Sequence, residues 1–384
     1  MINVTPNAET GAKDERSIRG LKVAMVTARF PPLLGGIETH VSEVARRLAD
    51  RGLDITVLTT VISGRFPLSE QKEGLAIRRF RAGPPRTDFH ASPALAREII
   101  EGDYDLVHVQ GVHTLLPPMA LAASQWAGIP TVVTFHTGGH TSRLRNAVRD
   151  VQWLALRPLL QRSNALIAVC SYEVELFARR LGIDPQRVRL IRNGAEPLPV
   201  SDSPPRVAGS PLICSVGRLE RYKGHHRLIA AMPPLLQLAP DAKLAIVGRG
   251  TYEKQLRRLA SRLGVEQAVT FTSFGDAERA DLGALVRSSD IVALVSDYEA
   301  NPIALMEAVA LGRKVVVANT SGLAELASEG IATAVPLNAH PTQLATVLLR
   351  VAAAPDPERT DLPAWDPCVD QLLGVYGEVD STHN

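Results

Sequence analysis

Ser296-Asp-Tyr-Glu-Ala-Asn-Pro-Ile-Ala-Leu-Met-Glu-Ala-Val-Ala-Leu-Gly312 is the segment that best indicates how this chain folds. It follows residues 291–295, whose unbroken apolar character predicts a strand buried on both faces of a parallel sheet. Residues 303–311 predict a helix, with Gly312 as its C-cap and Pro302 in its first turn, where a missing N–H costs nothing. The segment is therefore predicted to be a strand, a turn and a helix, the repeating unit of an α/β fold.

Two carboxylates flank the predicted turn. Glu299 should lie in the turn itself, and Glu307 about one and a half turns into the helix. Free backbone amides at a helix N-terminus bind anions. A carboxylate for a sugar, amides for a phosphate and a second carboxylate for a ribose would suit a nucleotide-sugar site. The alternative is that Glu299 is a solvated loop residue and Glu307 an ordinary surface residue of the helix.

The bulk composition limits the class of protein. The chain has 384 residues, of which 45% are hydrophobic and 21% charged, which indicates a folded protein with room for two domains. A formal net charge of +2 predicts no nucleic-acid partner. The polar N-terminus and the absence of a long apolar run predict a cytoplasmic protein. Three widely spaced cysteines also suggest a reducing compartment; they are Cys170, Cys214 and Cys368.

Strand and helix patterns alternate along both halves of the chain. The predicted strands of the first half are 22–27, 55–59, 106–109, 131–135, 165–169 and 188–191. Those of the second half are 212–216, 243–247, 269–271, 290–294 and 314–318. This rhythm predicts an α/β fold with two Rossmann-like, doubly wound domains, whose ligand site is a cleft at the C-terminal edges of the strands.

The domain boundaries follow from the same pattern and from a proline-rich interruption. We expect a flexible N-terminal tail (1–20), an N-terminal domain (21–196), a linker (197–211), a C-terminal domain (212–360) and a final helical segment (361–384).

Two loops after predicted strands could contact phosphate. Arg218 and Lys223 follow the first strand of the second half, and a pair of cations at one sheet edge suits a diphosphate. Gly35 and Gly36 follow the first strand of the chain and would let the backbone approach a phosphate closely. The alternatives are a solvated basic loop and an ordinary tight turn. The Gly-x-Gly-x-x-Gly fingerprint of dinucleotide-binding proteins is absent from this loop.

Four histidines occur near strand ends of the first half: His108, His113, His136 and His140. Their spacing does not fit a zinc site, because no carboxylate lies at ligand spacing and no helix carries the His136/His140 pair. A hydrogen-bonding role is therefore expected for most of them. No metal site is predicted anywhere in the chain.

These motifs together resemble the signature of the retaining glycosyltransferases of family 4, whose two Rossmann-like domains face each other across a cleft (the GT-B fold). The matching elements are Glu299 with Glu307, Gly217-Arg218-Leu219 with Lys223-Gly224, the Pro-Pro and Gly35-Gly36 loop, His136, Asn193-Gly194, and Gly322 with Glu325. The resemblance extends over residues 22–376. It implies that residues 361–384 return to the N-terminal domain.

The resemblance also implies roles for individual residues. His136, Arg218, Lys223 and Glu299 are the implied catalytic residues. Implied donor-binding residues are Gly35, Gly36, Arg218, Lys223, Gly248, Phe274, Glu299, Ala300, Asn301, Ile303 and Glu307. His113 and His140 are placed on the acceptor side. No cofactor is implied besides the nucleotide-sugar donor, which is a co-substrate.

The chain departs from the family pattern at three places. The family often has Glu-Gly-Phe-Gly where this chain has Glu299-Ala-Asn-Pro302, and a proline provides no N–H for phosphate. Ser273 and Ser321 each replace a glycine. The replacement at Ser273 affects the predicted contacts with the nucleotide base. The replacement at Ser321 is expected to stiffen the loop that contains it.

The sequence therefore predicts a metal-independent, retaining hexosyltransferase with a nucleotide diphosphate sugar as donor and an unidentified acceptor. No Asp-x-Asp metal motif occurs where a donor would lie. One alternative is a nucleotide-sugar epimerase or hydrolase on the same fold. Another is a catalytically silent nucleotide-sugar-binding protein; such a protein should lack one of the key donor residues, and this chain has all of Arg218, Lys223, Glu299 and Glu307.

The arginine-rich segment 143–162 leaves weak peripheral membrane contact open as a further partner. The favoured interpretation is a domain helix with a solvated basic face, because anchoring usually requires more than one weak signal.

Overall fold

The computed structural model describes residues 18–33, 35–61, 66–83, 90–136, 153, 156–202, 207–357 and 362–383. Two mainly parallel sheets, each flanked by helices, account for most of this chain. The predicted α/β fold with two Rossmann-like domains is confirmed.

The N-terminal sheet has eight strands in the order β3-β4-β2-β1-β5-β6-β7-β8. Its strands are β1 (Lys22–Thr27), β2 (Asp54–Val61), β3 (Ser69–Lys72), β4 (Leu75–Arg81), β5 (Leu106–Gln110), β6 (Thr131–Thr134), β7 (Ala165–Ala168) and β8 (Val188–Leu190). Its helices are α1 (Gly36–Asp50), α2 (Pro93–Glu101), α3 (Leu116–Ala127) and α4 (Ser171–Leu181). All neighbouring pairs are parallel except β3 with β4.

The C-terminal sheet has six parallel strands in the order β11-β10-β9-β12-β13-β14. Its strands are β9 (Leu212–Val216), β10 (Lys243–Val247), β11 (Val269–Thr272), β12 (Ile291–Leu294), β13 (Lys314–Ala318) and β14 (Thr333–Val335). Its helices are α5 (His225–Leu238), α6 (Glu253–Arg262), α7 (Arg279–Ser288), α8 (Ile303–Ala310), α9 (Ser321–Ser328) and α10 (Pro341–Ala353).

Helix α8, which follows the diagnostic strand β12, has nearly the predicted bounds. It begins at Ile303, so Pro302 is its N-cap and not a residue of its first turn. Its C-cap is Leu311, and Gly312 follows with a φ of 72°. Glycine reaches this left-handed conformation without the strain that a Cβ would add, which explains why the helix ends there.

The last helix, α11 (Trp365–His383), packs against α1 of the N-terminal domain. Its Tyr376 is fully buried, and the hydroxyl lies 2.6 Å from Nδ1 of His108 in β5. At the surface, Arg51 donates to Asp370 over 2.8 Å. The chain therefore crosses between the domains a second time here, as the resemblance implies.

Parts of three predicted segments lie outside the described residues. These are residues 1–17 of the tail, 203–206 of the linker, and 137–152 together with 154–155 around the arginine-rich segment. Ile18, which the sequence analysis assigned to the tail, is only 2% exposed and packs in the N-terminal core.

Candidate functional site

Lys223 and Glu299 meet at the C-terminal edge of the second sheet. Lys223 ends a 3₁₀ turn after β9, and its Nζ lies 2.5 Å from Oε1 of Glu299 in the turn after β12. Both side chains are nearly buried, at 15% and 11% exposure. Ser296 also donates to the same carboxylate oxygen over 2.9 Å. The fold thus brings together two residues that the sequence predicts for one site, with the Glu299 carboxylate held in a fixed orientation.

The backbone of Glu299 is fixed by the first turn of α9. Ser321 accepts from the Glu299 amide over 3.0 Å and donates to the Glu299 carbonyl over 2.7 Å. The Gly322 amide donates to the same carbonyl over 2.9 Å. Ser321 has a φ of 43°, a conformation in which glycine would be less strained. Its hydroxyl provides two hydrogen bonds that glycine cannot form. This departure from the family pattern therefore connects the start of α9 to the turn that contains Glu299.

Gly322→Ala should destabilise the protein by about 1–3 kcal/mol, because overpacking at a buried contact forces the backbone to move. A Cβ at this position would lie 1.6 Å from the carbonyl oxygen of Ala300. The expected result is a lower midpoint in thermal unfolding. Gly374→Ala in α11 is the matched control, since a Cβ there meets open space and should leave the midpoint unchanged or higher. Equal midpoints for both variants would contradict the packing described here.

Arg218 lies on the same edge and keeps its charge. Its guanidinium donates to the hydroxyl of buried Tyr222 over 2.6 Å, and the Lys223 ammonium lies 5.4 Å from the centre of the Tyr222 ring. Burial lowers the pKa of Arg218, but Tyr222 and Glu38 outweigh it, so the pKa is raised above its ordinary value. Two cations therefore lie close to one aromatic ring, with the Arg218 guanidinium carbon 6.0 Å and the Lys223 ammonium 5.4 Å from its centre.

Glu38 faces Arg218 from the other domain and was not predicted as a site residue. It lies in the first turn of α1, and its carboxylate covers Gly35 so closely that a Cβ there would be 2.3 Å from Oε2. Burial raises the pKa of Glu38, while Arg218 and Arg29 lower it. A Cβ at Gly36, by contrast, would meet open space. The acidic first turn was the sequence signal, since carboxylates favour helix N-termini.

Glu307 forms an ion pair that the sequence analysis missed. Arg279, at the start of α7, donates to Oε1 of Glu307 over 2.5 Å. Burial raises the pKa of Glu307, Arg279 lowers it, and Glu43 of the N-terminal domain raises it. The second predicted carboxylate thus lies in the cleft, oriented by a cation that the motif did not identify.

The turn between Glu299 and α8 contacts the N-terminal domain. Ala300 packs against Val169 and Cys170, and Asn193 donates to the Asn301 carbonyl over 3.1 Å. Among the residues that the structure describes, no hydrogen bond uses the amides of Ala300, Asn301 or Ile303. These are the three amides predicted to bind phosphate.

Gly248 and Phe274 follow the ends of β10 and β11, which are neighbouring strands of the same sheet. Gly248 has a φ of 148° and approaches Gly217 so closely that a Cβ would be 2.0 Å from the Gly217 carbonyl oxygen. Phe274 is 9% exposed and packs in the C-terminal core. Beside it, Arg249 donates to Ser273 over 2.9 Å. The serine that replaces a family glycine thus holds an arginine at the predicted base-binding end of the site.

The predicted histidines form a buried network in the N-terminal domain. His136 is only 6% exposed, and its Nε2 lies 2.8 Å from Oε1 of Gln110. His113 contacts the His136 carbonyl through Nε2, and the ring of His40 lies 4.6 Å from that of His136. Burial lowers the pKa of His136 well below its usual value, so the ring is neutral at pH 7. His140 lies outside the described residues.

Within the described ranges, no group of three or more His, Cys, Asp or Glu residues could hold a metal ion. None of the helices described is both long and apolar enough to cross a bilayer.

Known proteins similar to this chain agree with this architecture. A D-inositol 3-phosphate glycosyltransferase of Xylanimonas cellulosilytica is 28% identical, over 94% of this chain and 97% of that protein. A glycogen synthase of Mycobacterium tuberculosis is 28% identical over 81% of each chain.

Solved structures share the fold at low identity. A sucrose-phosphate synthase of Thermosynechococcus elongatus has a TM-score of 0.75 at 20% identity, covering 94% of this chain and 100% of that one. An Anabaena protein in complex with UDP-glucose has a TM-score of 0.67 at 20% identity, covering 94% and 95%.

Two protein-family models match the two halves of the chain. Residues 34–197 match Glycosyltransferase Family 4, and residues 201–361 match Glycosyl transferases group 1. The chain is therefore a glycosyltransferase with a GT-B fold, and it belongs to the glycosyltransferases of family 4.

Proposed function

We propose that this glycosyltransferase moves a hexose from a UDP-sugar to an acceptor hydroxyl, with retention of the anomeric configuration and without a metal ion. The observation that carries the proposal is the Lys223–Glu299 pair, with Arg218 beside it, at the C-terminal edge of the second sheet. Two cations and the unused amides at the start of α8 suit a diphosphate.

UDP is proposed because the Anabaena structures similar in fold contain UDP or UDP-glucose. Glu307 would accept a ribose hydroxyl, and the end of β10 with Gly248 would lie by the base. Arg279 orients Glu307 for that contact. The donor would therefore be held mainly by the C-terminal domain.

The chemistry would follow from the charges. The bond between the sugar C1 and the diphosphate oxygen breaks, and Arg218 and Lys223 stabilise the charge that develops on the leaving diphosphate. The acceptor oxygen bonds to C1 on the same face, and its proton passes to the departing phosphate. Glu299 would position a sugar hydroxyl. The proposed route needs no separate protein base, which is consistent with the lowered pKa of the buried His136 ring, because a lower pKa makes the ring a weaker proton acceptor.

The acceptor would enter from the N-terminal domain, near Gly36, His113 and His136. The relatives' names mention D-inositol 3-phosphate and glycogen, so both are suitable first acceptors to test. Three free cysteines, all buried, support the proposal that the enzyme works in a reducing, cytoplasmic compartment.

The test is to incubate the protein with UDP-glucose alone and then with each acceptor, while UDP release and products are measured. The proposal expects acceptor-dependent release, with an α-linked product visible by NMR. An epimerase would convert UDP-glucose to an isomer, a hydrolase would release glucose at the same rate without acceptor, and a silent binding protein would do neither. A β-linked product would contradict retention.

Activity should persist in excess EDTA. The reason is that Arg218 and Lys223 supply the positive charge that a divalent ion would otherwise bring to the diphosphate. Initial rates of UDP release should agree within about twofold with and without chelator, because the protein itself provides the positive charge. Loss of activity in EDTA that added magnesium or manganese restores would contradict metal independence.

A further inference from the structure

We infer that Glu325 is a positioning residue that couples closure of the two domains to the geometry of Glu299. The inference rests on the proposed function, in which Glu299 positions the donor sugar. It concerns a contact between the domains and not the donor site itself.

Glu325, in α9 of the C-terminal domain, binds the N-terminus of α4 in the other domain. Its Oε2 accepts from the Ser171 amide over 3.0 Å, and its Oε1 accepts from the Tyr172 amide over 2.6 Å. Amides in a first helical turn have no partner within their own helix, and the helix dipole favours a carboxylate at this end. One side chain thus joins the two domains through two charge-assisted hydrogen bonds.

The same short helix holds Glu299 at its other end. Ser321 and Gly322 form three hydrogen bonds with the Glu299 backbone, and Gly322 leaves no room against Ala300. Glu325 lies four residues after Ser321, about one helical turn along α9. Because one turn of helix is stiff, a shift of α9 against α4 must move the Glu299 backbone and its carboxylate, while Lys223 is held by a different loop, the 3₁₀ turn after β9.

Further contacts between the domains lie beside the hydrogen bonds of Glu325. The rings of Tyr172 and Tyr298 lie 5.7 Å apart, and Ala300 packs against Val169. The turn that carries Glu299 is therefore in contact with the N-terminal domain on the side where α4 begins. Docking of α4 on Glu325 fixes α9 and this turn together.

Glu329, the C-cap of the same helix, offers a matched control. It lies one turn beyond Glu325 and accepts from Arg192 over 2.7 Å, which also links the two domains. Glu325 lies 3.5 Å from the same guanidinium. Among the described residues, no hydrogen bond joins Glu329 to the amides at the start of α4, which donate to Glu325. Glu329→Ala therefore removes a similar surface charge without removing the bonds to α4.

Hydrogen–deuterium exchange on the full chain without substrate tests the coupling directly. Glu325→Ala should increase exchange at the α4 N-terminus and also in the peptide that contains Glu299. Glu329→Ala should leave the Glu299 peptide unchanged. Unchanged exchange at Glu299 in Glu325→Ala, or an equal increase in both variants, would overturn the inference.

A second variant acts from the other domain. Ser171→Pro removes one of the two amide donors at the first position of α4, where proline is tolerated. Cys170 before it already has the extended backbone that precedes proline. This variant should also increase exchange in the Glu299 peptide, although the C-terminal domain is unaltered. No increase there would contradict coupling through α4.

Turnover distinguishes failure of this inference from failure of the proposed function. With UDP-glucose as the donor, and with whichever of D-inositol 3-phosphate and glycogen the wild type glycosylates as the acceptor, Glu325→Ala should lower kcat by about tenfold or more, as expected when charged hydrogen bonds are lost. UDP affinity should stay within about twofold, because the proposed UDP site lies on the C-terminal domain and keeps its contacts. A purely structural role would lower the unfolding midpoint without this split. If Glu299→Gln abolishes turnover while Glu325→Ala turns over normally, only the inference about Glu325 fails. If the wild type never turns over UDP-glucose, the UDP-glucose proposal fails. The hydrogen–deuterium exchange data still decide the inference in that case.

Discussion

Replacing Lys223 with alanine should lower the rate of sugar transfer by roughly 10²-fold or more, since the ammonium acts on charge that develops on the leaving diphosphate. The substitution also leaves Glu299, with a side chain only 11% exposed, without its cation. An unpaired carboxylate at a buried site is costly and favours movement or protonation. The measurement is kcat at saturating UDP-glucose and saturating acceptor, with UDP release as the signal.

Arg221→Ala is the control for that measurement. Arg221 belongs to the same 3₁₀ turn and carries the same charge, but its side chain is exposed. It should therefore change kcat by no more than about twofold, as is typical for exposed charges outside a site. Near-normal turnover in Lys223→Ala, or an equal loss in both variants, would contradict the assignment of Lys223 to the diphosphate.

Replacing Glu307 with glutamine should weaken UDP binding by about 1.5–3 kcal/mol, the usual contribution of a hydrogen bond to a charged group. Glutamine has nearly the same shape, so the fold should stay intact and the unfolding transition should remain cooperative. Calorimetric titration with UDP measures the loss. Unchanged affinity would contradict the ribose role of Glu307.

The ion pair with Arg279 complicates this second experiment, and a double-mutant cycle separates the two effects. Arg279→Ala should weaken UDP binding by releasing Glu307 from its fixed orientation. If Arg279 acts only through Glu307, then Glu307→Gln in the Arg279→Ala background should cost less than it does in the wild type. Strictly additive losses would show that Arg279 contacts the nucleotide independently.

Most strands could be predicted from the sequence, including the edge strands β8 and β11, but β3, β4 and β14 could not. Strands β9, β10 and β13 have the predicted bounds, because a strand covered on both faces is an unbroken apolar run. Strand β3 has the sequence Ser-Glu-Gln-Lys and forms only by antiparallel pairing with β4 at the sheet edge. No apolar pattern in β3 marks it, since its side chains are mostly exposed.

The candidate site also contains residues that the sequence could place and residues that it could not. Lys223 and Glu299 could be placed together because each follows a strand of one parallel sheet, and such ends meet at one edge. The partners Arg279 and Glu38 could not, since each arrives from a neighbouring helix whose position depends on packing. The two hydrogen bonds of Glu325 to α4 depend on how the two domains dock, which no local pattern encodes.

One calorimetric series tests the central claim most directly: UDP-glucose, GDP-glucose and ADP-glucose titrated, in EDTA, into the wild type and into the variant with both Arg218→Ala and Lys223→Ala. If these two cations and Glu299 form the site of a UDP-sugar donor, UDP-glucose should bind the wild type more tightly than GDP-glucose and ADP-glucose. The double variant should lose at least a hundredfold in affinity, about 2.7 kcal/mol. Equal UDP-glucose affinity in the two proteins would contradict the site, and tighter binding of another nucleotide sugar would contradict UDP as the donor nucleotide.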